Sequence, residues 1–160
     1  MKHFYKIILG IQLKIEKNLG WHRDDSALNA IRLTCSDGEE LITNNEGEFG
    51  TWWPKLHSKN KIGISGVALR SEKPGGDDTA GNGIRFKDQD GKIYSPGDGH
   101  FGKWSSGFCP NGTIVTGFRT KVEPKTHGDN TALNDVDFIC SKNCTFVLTA
   151  NIPHVPIMGY

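Results

Sequence analysis

Two sets of acidic and amide side chains recur along this chain at spacings suited to acid–base chemistry on a sugar, or to holding one. The first is the segment Asp-Asp/Asn-Ser/Thr-Ala-x-Asn, present at Asp24–Asn29, Asp77–Asn82 and Asp129–Asn134, with Asp25, Asp78 and Asn130 at its second position. The second is Glu16, Glu72 and Glu123, one a few residues ahead of each copy. Glycosyl transfer uses two carboxyl groups about 5 to 9 Å apart, one of which keeps its proton. A Glu and an Asp from one copy would form such a pair. The competing reading is structural: Asp, Asn, Ser and Thr hydrogen-bond nearby backbone and hold turns between strands, and a turn used three times needs the same residues three times. A glutamate at a strand end is likewise commonly solvated, or paired with a lysine such as Lys14 or Lys121.

Trp52, Trp53 and Trp104 are flanked by Gly and polar residues. Their flat faces suit either sugar rings or the space between sheets, and Trp53 is expected to be the most exposed of them. The six His are scattered and read as surface residues, and no His/Cys cluster has zinc spacing. No Gly-x-Ser-x-Gly, His-Glu-x-x-His or phosphate loop occurs, so no metal or other cofactor is expected.

The elements that must position these residues repeat with them. The motif asparagines stand at 29, 82 and 134, and a period of 53 and then 52 residues is the mark of a repeat architecture. Ahead of each motif runs an extended segment, Gly10–Glu16, Gly66–Glu72 and Gly117–Glu123. After each comes an alternating strand, in which Ile31, Leu33 and Cys35 face one way and Arg32 and Thr34 the other. Turn-rich links lead to Gly50-Thr51-Trp52-Trp53 and Gly102-Lys103-Trp104, read as the openings of units two and three. This predicts a single all-β domain of three units, about 1–38, 39–91 and 92–144, with a tail 145–160. Thr145–Ala150 has strand character and is expected to complete unit one. Three such units fit a three-sided prism, a trefoil or a short propeller.

Composition agrees. A chain of 160 residues can bury roughly 70% of its unfolded surface as one domain. With 20 Gly and no helical periodicity, long helices are not expected. A formal charge of +1, with no basic run, argues against nucleic acid and anionic membrane as partners. No apolar stretch approaches membrane-spanning length. The N-terminal Met1–Ile11 imitates a secretory signal, but Lys6 interrupts it and its end falls in register with the later repeats, so it is read as part of the fold.

The string Gly117-Phe118-x-x-Lys121-Val122-Glu123, then Gly128–Asn134 and an apolar strand ending in Cys140, resembles the vitelline membrane outer layer protein I family. So does Leu69–Lys73 leading into Gly75–Ala80, and the resemblance covers roughly residues 4 to 144. It implies a β-prism of three four-stranded Greek-key sheets about a pseudo-three-fold axis. It also implies a secreted protein, an egg coat in birds, that binds or transfers chito-oligosaccharides. Glycans or other coat proteins are then the expected partners. The chain departs from the family in a shortened first unit and in a second unit without cysteines.

Of its four cysteines, Cys109 and Cys140 are expected to form a bridge within unit three, and their counterparts in unit two fall near His57 and Lys87. Cys35 and Cys144 are then possible mates, against buried thiols. Two sequons, at Asn111 and Asn143, are compatible with secretion. The function expected is a secreted, non-catalytic matrix or egg-coat protein that binds N-acetylglucosamine-containing glycans. The alternative is a carbohydrate-active enzyme with Glu and Asp as acid and base.

Overall fold

The computed structural model describes residues 7–16, 28–43, 46, 49–59, 61–72, 81–97, 101–122, 133–142 and 154–156. Asp25, Asp78, Asn130, Glu123, Cys144 and the segment 145–150 lie outside them.

Among the described residues the chain is all β, in three antiparallel sheets. The first sheet runs β3 (Glu40–Ile42), β2 (Leu28–Cys35), β1 (Ile8–Ile15), then β4 (Thr51–Trp52) and β5 (Leu56–His57), which share the free edge of β1. Pro54 lies between those two short strands; it lacks the N–H that a continuous ladder would require, which confines such a break to an edge. The second sheet runs β8 (Ile93–Tyr94), β7 (Gly81–Asp88), β6 (Ile64–Ser71), β9 (Lys103–Phe108). In each, three consecutive strands form a meander and the fourth returns beside the first, which is the Greek-key order. The third sheet contains β10 (Ile114–Val122), β11 (Leu133–Ser141) and β12 (His154–Pro156).

The pairing repeats to the residue. A bulge interrupts the ladder at Ile8/Gly10, Ile64/Gly66 and Val115/Gly117, and another at Lys14/Ile15, Arg70/Ser71 and Lys121/Val122. The second strands of the sheets approach one another pairwise. At their starts the equivalent residues Leu28, Gly81 and Leu133 meet: a Cβ on Gly81 would lie 2.5 Å from the Leu133 carbonyl oxygen and 3.7 Å from Leu28 Cδ2. This contact marks the pseudo-three-fold axis of a β-prism. Inward side chains of all three sheets, among them Ile11, Leu33, Leu69, Phe86, Val115 and Phe138, form one buried core.

Strand pairing revises two expectations. The tryptophan segments close the sheet before them and do not open the unit after them: Trp52 pairs with Lys14 and Trp104 with Arg70. Gly50 and Gly102, at φ of 80° and 84°, make both returns possible. A Cβ at Gly50 would sit 2.6 Å from the Glu16 nitrogen, and one at Gly102 2.7 Å from the Glu72 nitrogen. The edge that the tail was expected to fill is therefore taken by β4 and β5. The described part of the tail, β12, pairs with β11 within the third sheet.

The Cys109–Cys140 disulfide is present, with Cα atoms 5.6 Å apart. It joins two sheets and does not staple one unit, because Cys109 follows β9 and its N–H donates to Ser65 O of β6, whereas Cys140 belongs to β11. By register, the matching positions at the seam of sheets one and two are Ser58 and Asp88. Asp88 is 1% exposed. Its carboxylate accepts the Tyr94 hydroxyl at 3.0 Å and the Lys92 N–H at 2.9 Å, and Tyr94 Oη in turn accepts the Lys59 N–H at 3.1 Å from the strand end of sheet one. A polar clasp thus occupies the place of the disulfide. Tyr94→Phe, which keeps the stacking on Phe86 (centroids 4.7 Å apart), removes a donor from a buried carboxylate. It should cost about 1–2 kcal/mol, read as a lowered denaturant midpoint with unchanged m-value.

Candidate functional site

Two places in the prism bear on the expected site. The first is the end where the motif loops connect the first and second strands of each sheet. Glu16 and Glu72 stand there, half-buried, each one residue beyond its strand, on different sheets related by the pseudo-three-fold axis. The motif asparagines Asn29 and Asn82 are 0% exposed, one residue into β2 and β7. Complete burial places both amides in the interior of the fold and not at its surface. Asp25, Asp78, Asn130 and Glu123, which would complete the carboxylate pairs, fall on residues not described. Lys14, an expected partner for a strand-end glutamate, has its ammonium 3.4 Å from Glu46.

The second place is the outer face of the sheets. Strand alternation turns Arg32 and Arg85 outward at equivalent positions of β2 and β7. Each guanidinium lies over the tryptophan of the returning strand: Arg32 over Trp52 at 4.2 Å, Arg85 over Trp104 at 4.1 Å. Such stacking holds a long, charged side chain in one place. Trp53, expected to be the exposed indole, is instead half-buried and packs on the core; its ring lies against Gly97, and its carbonyl accepts the Gln12 amide at 2.7 Å.

On sheet one the surroundings of the arginine are polar and acidic. On sheet one, Arg32 is 3.5 Å from Glu40 and donates to Gln12 Oε1 at 3.0 Å, while Lys55 also pairs with Glu40. The Lys55 hydrogen bond, more than the charges of Lys55 and Arg32 nearby, holds the Glu40 carboxyl below its ordinary range against the opposing effect of desolvation. Sheet one therefore neutralises its own arginine at ordinary pH. Reasoning from single segments did not find Arg32, Arg85 or Glu40. The signal available was the outward phase of both arginines, each followed by a link that ends in Trp.

No group of three or more His, Cys, Asp or Glu able to hold a metal occurs among the described residues. Nor is any described helix long and apolar enough to cross a membrane.

Residues 4–143 match the family Vitelline membrane outer layer protein I (VOMI). The chain is similar to the vitelline membrane outer layer protein 1 homolog of Homo sapiens, 38% identical over 145 residues, covering 84% of this chain and 70% of that protein. It is similar also to the homolog of Mus musculus, 36% identical over 143 residues, covering 82% and 69%. Register, repeat and sequence similarity thus agree along most of its length, and the chain belongs to the vitelline membrane outer layer protein I family.

Proposed function

We propose that the protein is a secreted, extracellular coat or matrix protein that binds N-acetylglucosamine-containing glycans without turning them over. Its relatives' name supports a setting of the vitelline-membrane kind. An inter-sheet disulfide suits an oxidising compartment. The observation that carries the non-catalytic reading is the complete burial of Asn29 and Asn82. Buried this completely, the two amides are withdrawn from any ligand in solvent, which favours structural corners over reaction centres. Its partners are then glycans, or other coat components bearing them.

Incubation with chito-oligosaccharides tests this reading. A saturable change in tryptophan fluorescence with no product of altered length is the expected result. Products of altered length that vanish in Glu72→Gln would replace it with a carbohydrate-active enzyme. Neither binding nor product would leave a coat protein that takes no glycan.

A further inference from the structure

We propose that Asn111 carries an N-linked glycan, attached during export, at the end of the prism opposite the motif loops. The proposal rests on the secreted reading above and concerns a modification of this chain, not a ligand that it binds.

An acceptor asparagine must satisfy two demands in turn. The unfolded chain must offer the triplet Asn-x-Ser/Thr with x not proline, and the folded chain must leave a bulky, hydrophilic product in solvent. Asn111-Gly112-Thr113 meets the first demand, since Pro110 stands before the asparagine and does not enter the triplet. The corresponding link between sheets one and two, residues 58–63, does not meet it, because Asn60 is followed by Lys61 and Ile62.

The fold meets the second demand. Residues 110–113 form a tight turn: the Thr113 N–H donates to Pro110 O at 2.9 Å, and the Thr113 hydroxyl donates to the same oxygen at 2.6 Å. Gly112, at φ of 77°, takes a left-handed position that glycine adopts without strain. Among the described residues, no heavy atom beyond its chain neighbours comes within 4 Å of the place where its Cβ would stand. Asn111 and Gly112 are both exposed. The base of the turn is fixed on either side. Cys109 is bonded to Cys140 of β11 and donates its N–H to Ser65 O at 2.9 Å. Ile114 packs on Gly63, where an added Cβ would lie 2.8 Å from Ile114 Cδ1.

β10 runs from this turn to the motif loop of sheet three, and its nine residues, at about 3.3 Å each, set the two ends about 25 Å apart. The glycan is therefore attached at the end away from Glu16 and Glu72. Its attachment is a transfer in which Asn111 Nδ2 bonds to C1 of the first N-acetylglucosamine of a polyprenyl-diphosphate-linked oligosaccharide. The bond from C1 to the diphosphate oxygen breaks, the diphosphate leaves with the electron pair, and the amide gives up one proton. In the folded turn the Thr113 hydroxyl, which an enzyme reading the triplet must meet, is already given to Pro110 O. Transfer thus belongs to the extended chain, before the turn and the disulfide close.

Expression of the full chain behind a cleaved secretion leader in cultured animal cells tests the proposal. The exported protein should lose mass on treatment with peptide N-glycosidase, and its Asn111 peptide should then carry Asp at that position. Running that step in heavy-oxygen water labels the enzymatic product and separates it from spontaneous deamidation of the Asn-Gly pair. Asn111→Gln and Thr113→Ala should each abolish the modification of this peptide, and Thr113→Ser should keep it. Asn143→Gln, at the second sequon, should leave it unchanged. An exported protein with the Cys109–Cys140 bridge formed and Asn111 bare would overturn the proposal and leave the secreted reading standing. So would a modification that persists in Thr113→Ala. A chain that is neither exported nor bridged would remove the secreted reading, and this proposal with it.

Discussion

Replacing both Cys109 and Cys140 with alanine should lower the melting temperature by about 10 °C. The bridge closes a loop across a sequence separation of 31, and chain-entropy arguments give about 3–4 kcal/mol for a loop of that length. At this chain length each kcal/mol shifts the midpoint by about 2–4 °C. The geometry gives a second reason for a large effect. The bridge is the covalent tie between sheets two and three, whereas the corresponding tie between sheets one and two is the hydrogen-bonded clasp of Asp88, Tyr94 and Lys59. Loss of the disulfide leaves that seam with neither device, because Cys140 is buried and no acid stands at its position. Thermal melts of the double variant and of the reduced wild type check the prediction. A shift below about 2 °C would show that the packed core alone holds the seam. Should the reduced wild type melt lower than the double variant, the additional loss would measure a bridge at Cys35, whose expected mate is Cys144.

What the sequence disclosed depended on whether the information was local to a strand. The glycines at 10, 66 and 117 aligned the first strands correctly because each sits at the same bulge, and the alternation of Ile31, Leu33 and Cys35 gave the buried face directly. The cysteine pair was found, but its role as an inter-sheet tie was not, since that depends on which sheet the strand before Cys109 joins. The same step misassigned the tryptophan segments. A returning fourth strand pairs with a first strand several elements back, and no residue in it records the partner. Asp88 carried an available signal: it stands in the strand position of Cys35 and Cys140, where a charged residue needs a reason to be buried. Least legible were the differences between equivalent residues of the outer faces, such as the Glu40 that stands beside Arg32 on sheet one. Glu40 and Ile93 sit in strands of three and two residues, too short for periodicity to place them.

The axis supplies the second large effect. Gly81→Ala should cost about 3 kcal/mol, although it adds one methyl group and raises the intrinsic strand preference. Leu28 and Leu133 already fill two of the three equivalent positions at the axis, at 0% and 1% exposure. Sheet two contributes no side chain there, and the Leu133 carbonyl oxygen occupies the space that one would need, 2.5 Å from an ideal Cβ on Gly81. That oxygen belongs to backbone at the start of β11, so relief requires a strand of sheet three to move, and with it the packing of Val136 and Phe138. Gly117→Ala is the matched control. It too lies in a strand, but its nearest neighbour to an added Cβ is Ile139 Cδ1 at 3.6 Å, ordinary contact distance, so it should shift stability by less than about 1 kcal/mol in either direction. Equal costs for the two substitutions would mean that the second strands do not meet as closely as the three-fold contact requires. A cost confined to Gly81 would identify asymmetry at the axis as a condition of closing the prism: three leucines there would not fit, and one sheet must yield its side chain to the backbone of another.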